Sequence, residues 1–114
     1  MIKLNVVEEE KRVYVDVSGY ISSNDTKRFV DEYKKVTKQI KGAQYKLVVT
    51  PEIFECENNN DMRTICMTFY KSGYKKMYLV DPNNYIFNTM SLGHMEKKMF
   101  SKAVKIISHK DNAR

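Results

Sequence analysis

Residues 13–40 read VYVDVSGYISSNDTKRFVDEYKKVTKQI, and the period of their apolar positions changes midway. Val13, Val15 and Val17 alternate with Tyr14 and Asp16, the pattern of a strand. Ser18-Gly19-Tyr20 ends or bends that strand. Ser22-Ser23-Asn24-Asp25 then offers N-cap side chains and an acid suited to the positive end of a helix dipole. Phe29, Val30, Tyr33, Val36 and Ile40 follow at helical spacing, and Lys27, Arg28, Asp31, Lys34, Lys35 and Lys38 form the solvated opposite face. Gly42 is the expected helix stop.

The same reading extends both ways. Upstream, Ile2, Leu4 and Val6 alternate as a first strand, joined to the second by Glu8-Glu9-Glu10-Lys11, a hairpin turn without glycine. Downstream, Leu47-Val48-Val49 is a continuous apolar run, as in a strand covered on both faces, and Pro51 is expected to end it. Residues 52–61 form a polar segment closing on the cap-and-loop cluster Asn58-Asn59-Asn60-Asp61. Met62, Ile65, Cys66, Phe69 and Tyr70 predict a second amphipathic helix stopped near Gly73. Met77-Tyr78-Leu79-Val80 predicts a buried strand, residues 83–93 a third helix, and Val104-Lys105-Ile106-Ile107 a last strand. The order β-β-α-β-α-β-α-β predicts an α/β fold: a mixed, mostly parallel sheet of about five strands with helices packed on it.

The 114 residues suit one domain, and a chain of this size folds without a disulfide or a metal. With 42% hydrophobic and 30% charged residues the composition excludes wholesale disorder. No apolar run approaches the roughly 20 residues of a membrane helix. Met1-Ile2-Lys3-Leu4-Asn5 does not open a signal peptide, so Cys56 and Cys66 are expected as reduced thiols in a cytoplasmic protein.

From these elements a resemblance emerges. Strand, Gly19, polar turn and helix over Val13–Ile40 resemble the opening of STAS (anti-sigma-factor antagonist) domains. Lys71-Ser72-Gly73, Met77–Val80 and Asp81-Pro82 resemble that family's helix end, strand and Asn-Pro turn, and Met90-Ser91-Leu92-Gly93 resembles the close of its third helix. The match covers nearly the whole chain and rests on order and spacing. It implies a single STAS-like domain, a non-catalytic regulatory module that binds a protein partner, a kinase-like or sigma-related regulator, through the loop before the second helix. Asn59, Asn60, Arg63 and Thr64 are the expected contact residues.

The departure from the family lies in that loop. Where antagonists carry Asp-Ser-Ser-Gly with a phosphorylated Ser, this chain reads Cys56-Glu57-Asn58-Asn59-Asn60-Asp61, and no Ser stands between Ser23 and Ser72. Thr64 is the nearest hydroxyl and falls inside the predicted helix. Glu57 and Asp61 are expected to give the loop a standing negative charge, loosely like a fixed phosphorylated state.

Other chemistry is poorly supplied. The two cysteines and His94 and His109 lack metal-ligand spacing, and the four glycines stand singly, so no metal, cofactor or phosphate loop is expected. Cys56 is the one sensible nucleophile, and acidic Glu55 and Glu57 beside it disfavour its thiolate.

Charge opens an alternative. Residues 1–61 hold 10 Lys and Arg against 11 Asp and Glu, whereas residues 62–114 hold 10 against 3. A basic second half suits nucleic acid or another anionic surface, with Lys75, Lys76, Lys97 and Lys98 as anion contacts. The seven methionines, Met62, Met95 and Met99 among them, fit either an adaptable interface or core.

Overall fold

A computed structural model of the chain describes residues 1–81, 98 and 102–109. Their elements are β1 (Ile2–Val7), β2 (Arg12–Ile21), α1 (Ser23–Thr37), β3 (Lys46–Cys56), α2 (Asn59–Lys71), β4 (Lys76–Val80) and β5 (Val104–Ile107). The expected third helix and the tail beyond His109 lie outside the described residues.

The strands lie in one sheet in the order β1-β2-β3-β4-β5. β1 and β2 form an antiparallel hairpin, and β2 through β5 are parallel. The hairpin turn closes with Glu10 N–H donating to the Val7 carbonyl and Lys11 N–H to the Glu8 carbonyl. Lys11 supplies the left-handed residue (φ +55°) that glycine usually fills. Its ammonium lies 5.4 Å from the centre of the Tyr45 ring.

The sheet grows in one direction, so right-handed crossovers put α1 and α2 side by side on one face. There they bury Phe29, Tyr33, Ile65 and Phe69 against Val13, Val15, Leu47, Met77, Leu79 and Val104. A smaller cluster of Val48, Tyr78 and Ile107, with Tyr14 and Val80 against it, occupies the other face. The α1 cap is as expected: the Ser22 hydroxyl accepts from Asp25 N–H at 3.0 Å, and the Asp25 carboxylate accepts from Ser22 N–H at 3.0 Å. That second bond, helped by the Ser22 side chain beside the carboxylate, holds the Asp25 carboxyl below the ordinary aspartate range.

Two boundaries differ from the sequence reading. Pro51 does not end β3, which runs on to Cys56. Val17 pairs with Pro51 but Gly19 pairs with Phe54, so β3 carries one extra residue just after the proline. β4 pairs with β3 only as far as Val49, so Pro51 sits at a bulge beyond the part of β3 that needs donors on both sides. Gly19, at φ +70°, lets β2 follow the bend, and the strand continues to Ile21. Gly42 does not stop α1 either. The helix ends at Thr37, whose hydroxyl donates to the Tyr33 carbonyl at 2.8 Å, and Gly42 opens a short 3₁₀ turn, Gly42–Gln44.

Candidate functional site

The positions of α2 that face away from the sheet advance by threes and fours: Asn60, Arg63, Thr64, Met67, Thr68, Lys71. With Ser72 they form one wall of an open groove of about 700 Å³, and Tyr33, Lys34 and Thr37 of α1 form the other. Three of the four expected contact residues therefore share a surface. Asn60, Arg63 and Thr64 are exposed, and Asn59 is the first residue of the same helix. Lys34, Thr37 and Thr68 join them without having been singled out, and Lys71 joins them from the basic second half of the chain. Their signal was the polar side of each helix pattern, but neither pattern says that the two polar sides meet.

The hydroxyls on this groove are turned inward. Thr64 donates to the Asn60 carbonyl at 3.0 Å, Thr68 to the Thr64 carbonyl at 2.7 Å and Ser72 to the Thr68 carbonyl at 2.9 Å. Each such hydrogen is committed to its own helix, and the oxygen lone pairs remain. Thr64 is thus helical, as the sequence led us to expect, and its hydroxyl is bonded within that helix.

The segment before α2 is shorter than expected, because α2 begins at Asn59 and only Glu57 and Asn58 separate it from β3. The Asn58 side chain caps α2 by accepting from Asn60 N–H at 2.9 Å. Asp61 lies within the helix, not in a loop. Glu57 and Asp61 are not a free-standing charge. Glu57 Oε2 accepts from Ser23 N–H at 3.2 Å, and the Ser23 hydroxyl donates to Asp61 Oδ2 at 2.9 Å. Both carboxylates thereby tie the start of α2 to the positive end of α1.

Tyr20 and Ile53 are among the apolar side chains that escape the core at this end of the sheet. Tyr20, near the end of β2, is 59% exposed, and Ile53, in the β3 bulge, is 90% exposed. Ile53 was hidden inside a segment read as polar loop.

Neither cysteine is in a disulfide, and both line an apolar cavity of about 60 Å³ between α2 and the sheet. Burial pushes the Cys66 thiol up to about 12, with Cys56 adding to it. Burial also raises Cys56, and the second cause is the charge of Asp61 rather than of Glu55 or Glu57. Alkylation needs the thiolate. Iodoacetamide at pH 7.5 should therefore label Cys66 at least roughly tenfold more slowly in the native chain than in the urea-unfolded chain, since one pKa unit carries that factor. Mass spectrometry of timed samples would read it, and fast native labelling of Cys66 would contradict the buried-thiol assignment.

Two of the cations expected to meet anions, Lys75 and Lys76, lie elsewhere. Lys75 and Lys76 are exposed at the start of β4, where Lys76 stands in register with Lys46, itself in register with Arg12. Lys98 is exposed, and Lys97 lies outside the described residues. Among the described residues no group of three or more His, Cys, Asp or Glu is placed to hold a metal ion, and no helix is long and apolar enough to cross a membrane.

No family model matches the chain, and no curated protein sequence matches it. Solved structures do. The Bacillus cell-fate determinant SpoIIAA in its phosphorylated form superposes with a TM-score of 0.62 at 9% identity, over 98% of this chain and 96% of that one. The anti-sigma-factor antagonist SpoIIAA in its unphosphorylated form gives 0.55 at 8% identity, over 98% and 92%. At such identities the likeness is one of fold, and the five-stranded mixed sheet with its paired helices is a STAS-like fold similar to that of SpoIIAA.

Proposed function

We propose that this chain is a single-domain, non-catalytic regulatory module that works in the cytoplasm by docking a protein partner on the start of α2 and the groove beside it. One observation carries the reading: in a fold like that of an anti-sigma-factor antagonist, Asn60, Arg63 and Thr64 stand exposed along one groove wall. Asn59 completes the contact set. Tyr20 and Ile53 are exposed apolar residues at the same end of the sheet and supply anchors of the kind that dominate binding energy. The partner is a regulator of the kinase-like or sigma-related class. Docking proceeds without a phosphoserine switch, because the residues from Asn24 to Lys71 include no serine and the Thr64 hydroxyl is bonded to its own helix.

The test is a pair of variants measured against the partner recovered from the native host. Asn60→Ala with Arg63→Ala should weaken the complex about tenfold or more. Exposed positions of this kind change stability by roughly 0.5 kcal/mol or less, so the urea midpoint should barely move. Unchanged affinity, or an unfolded variant, would remove the assignment of this face.

A further inference from the structure

The groove says more about the partner than that it is a protein. Its described lining carries three cations, Lys34, Arg63 and Lys71, and no carboxylate. The cations stand on both walls, so a chain lying between the helices meets positive charge from either side. Thr37, Thr64 and Thr68 each spend their one hydroxyl hydrogen on a helix carbonyl. What those oxygens still offer is lone pairs, which suit a ligand that brings N–H donors. A volume of about 700 Å³ lies within the range of about 300–1,000 Å³ typical of ligand pockets.

We infer that the α1–α2 groove takes an extended acidic segment of the partner protein, its carboxylates on Lys34, Arg63 and Lys71 and its backbone amides on the threonine oxygens. This rests on the docking reading above and narrows it to one chemistry. A peptide brings both anionic side chains and N–H donors. A deoxyribose–phosphate backbone brings acceptors alone, and these would face the threonine lone pairs. The same cations would still draw it by charge, so nucleic acid is the competitor to exclude.

The experiment follows amide shifts of the isotope-labelled full chain during titration with three probes. These are a blocked decapeptide of alternating glutamate and alanine, its glutamine–alanine counterpart, and a ten-nucleotide oligothymidine. The glutamate peptide should give saturable shifts at residues 33–37 and 63–72, the glutamine peptide should bind at least tenfold more weakly, and the oligonucleotide should not displace the first. Lys34→Glu with Lys71→Glu should abolish those shifts with the circular dichroism unchanged, whereas Lys3→Glu on β1 should leave them intact. Absent shifts at millimolar peptide, equal binding of the glutamine peptide, or oligonucleotide seated in the groove would each overturn the inference. So would a partner complex that loses affinity with Asn60→Ala and Arg63→Ala yet tolerates the double charge reversal, and that result would leave the docking reading standing.

Discussion

Gly42→Ala should destabilise the fold by roughly 3 kcal/mol, the upper part of the range for overpacking. A methyl group at Gly42 would lie 2.5 Å from the Ser72 carbonyl oxygen and 3.6 Å from its carbon. The obstacle is backbone, so no side-chain rotation relieves it. Both chain segments are also pinned. Tyr45 N–H donates to the Gly42 carbonyl at 2.9 Å, Lys75 N–H to the Tyr45 carbonyl at 2.9 Å and Ser72 N–H to the Phe69 carbonyl at 3.1 Å. Relief therefore means shifting the end of α2, and with it the Lys71 and Ser72 end of the groove. Gly73→Ala is the informative control. Gly73 has φ +68° and nothing within 4 Å of a built Cβ, so its cost is conformational, about 1–2 kcal/mol. Urea unfolding of the two variants separates the effects, and a Gly42 variant no less stable than the Gly73 variant would show that the close approach is not rigid.

That role of Gly42 could not be read from the chain, where a glycine just past an apolar stripe looks like a helix stop. The limit is physical: close approach depends on a residue thirty positions away. β3 was misjudged for a related reason. Proline and a polar run normally exclude a central strand, but β3 is central only as far as Val49, and beyond it pairs with β2 alone. What was legible was local. The capping box at Ser22 and Asp25, the alternation of β1 and β2, and the apolar stripes of both helices each follow from short-range spacing. The candidate site fell between these cases. Its α2 wall follows from the helix period, whereas Lys34 read as plain solvated face and Thr37 was not singled out at all. They become groove only because two right-handed crossovers lay α1 beside α2. Likewise Glu57 and Asp61 were legible as charge but not as partners of Ser23, which stands more than thirty residues earlier.

Tyr33→Ala should be the most damaging single truncation at the site, costing about 3–5 kcal/mol, as for a buried aromatic side chain. Tyr33 is only 1% exposed, with ring centres 5.9 Å from Phe29 and 5.4 Å from Phe69. Its hydroxyl adds a second, separable role. Because the Ser72 hydroxyl donates to the Thr68 carbonyl, it accepts from Tyr33 OH at 2.7 Å, and Tyr33 OH in turn accepts from Tyr74 OH at 2.6 Å. This chain links α1, the end of α2 and the approach to β4 beneath the groove. Tyr33→Phe keeps the ring and leaves Tyr74 OH and Ser72 Oγ without their shared partner, for a cost of about 1–3 kcal/mol. Burial raises both phenols above the usual tyrosine value of 10.0. The unfolded chain therefore loses these protons first as pH rises. Stability from the pair is complete below about pH 10 and falls above it, by about 1.4 kcal/mol per pH unit for each proton that the folded chain alone retains. Urea midpoints between pH 8 and 11.5 should drop more steeply for the parent than for Tyr33→Phe combined with Tyr74→Phe, which has no phenol to titrate at either position. Equal slopes would mean that the hydroxyl chain is open to solvent, and the groove floor would then lack the fixed connection between α1 and α2 on which the spacing of Lys34 and Lys71 depends.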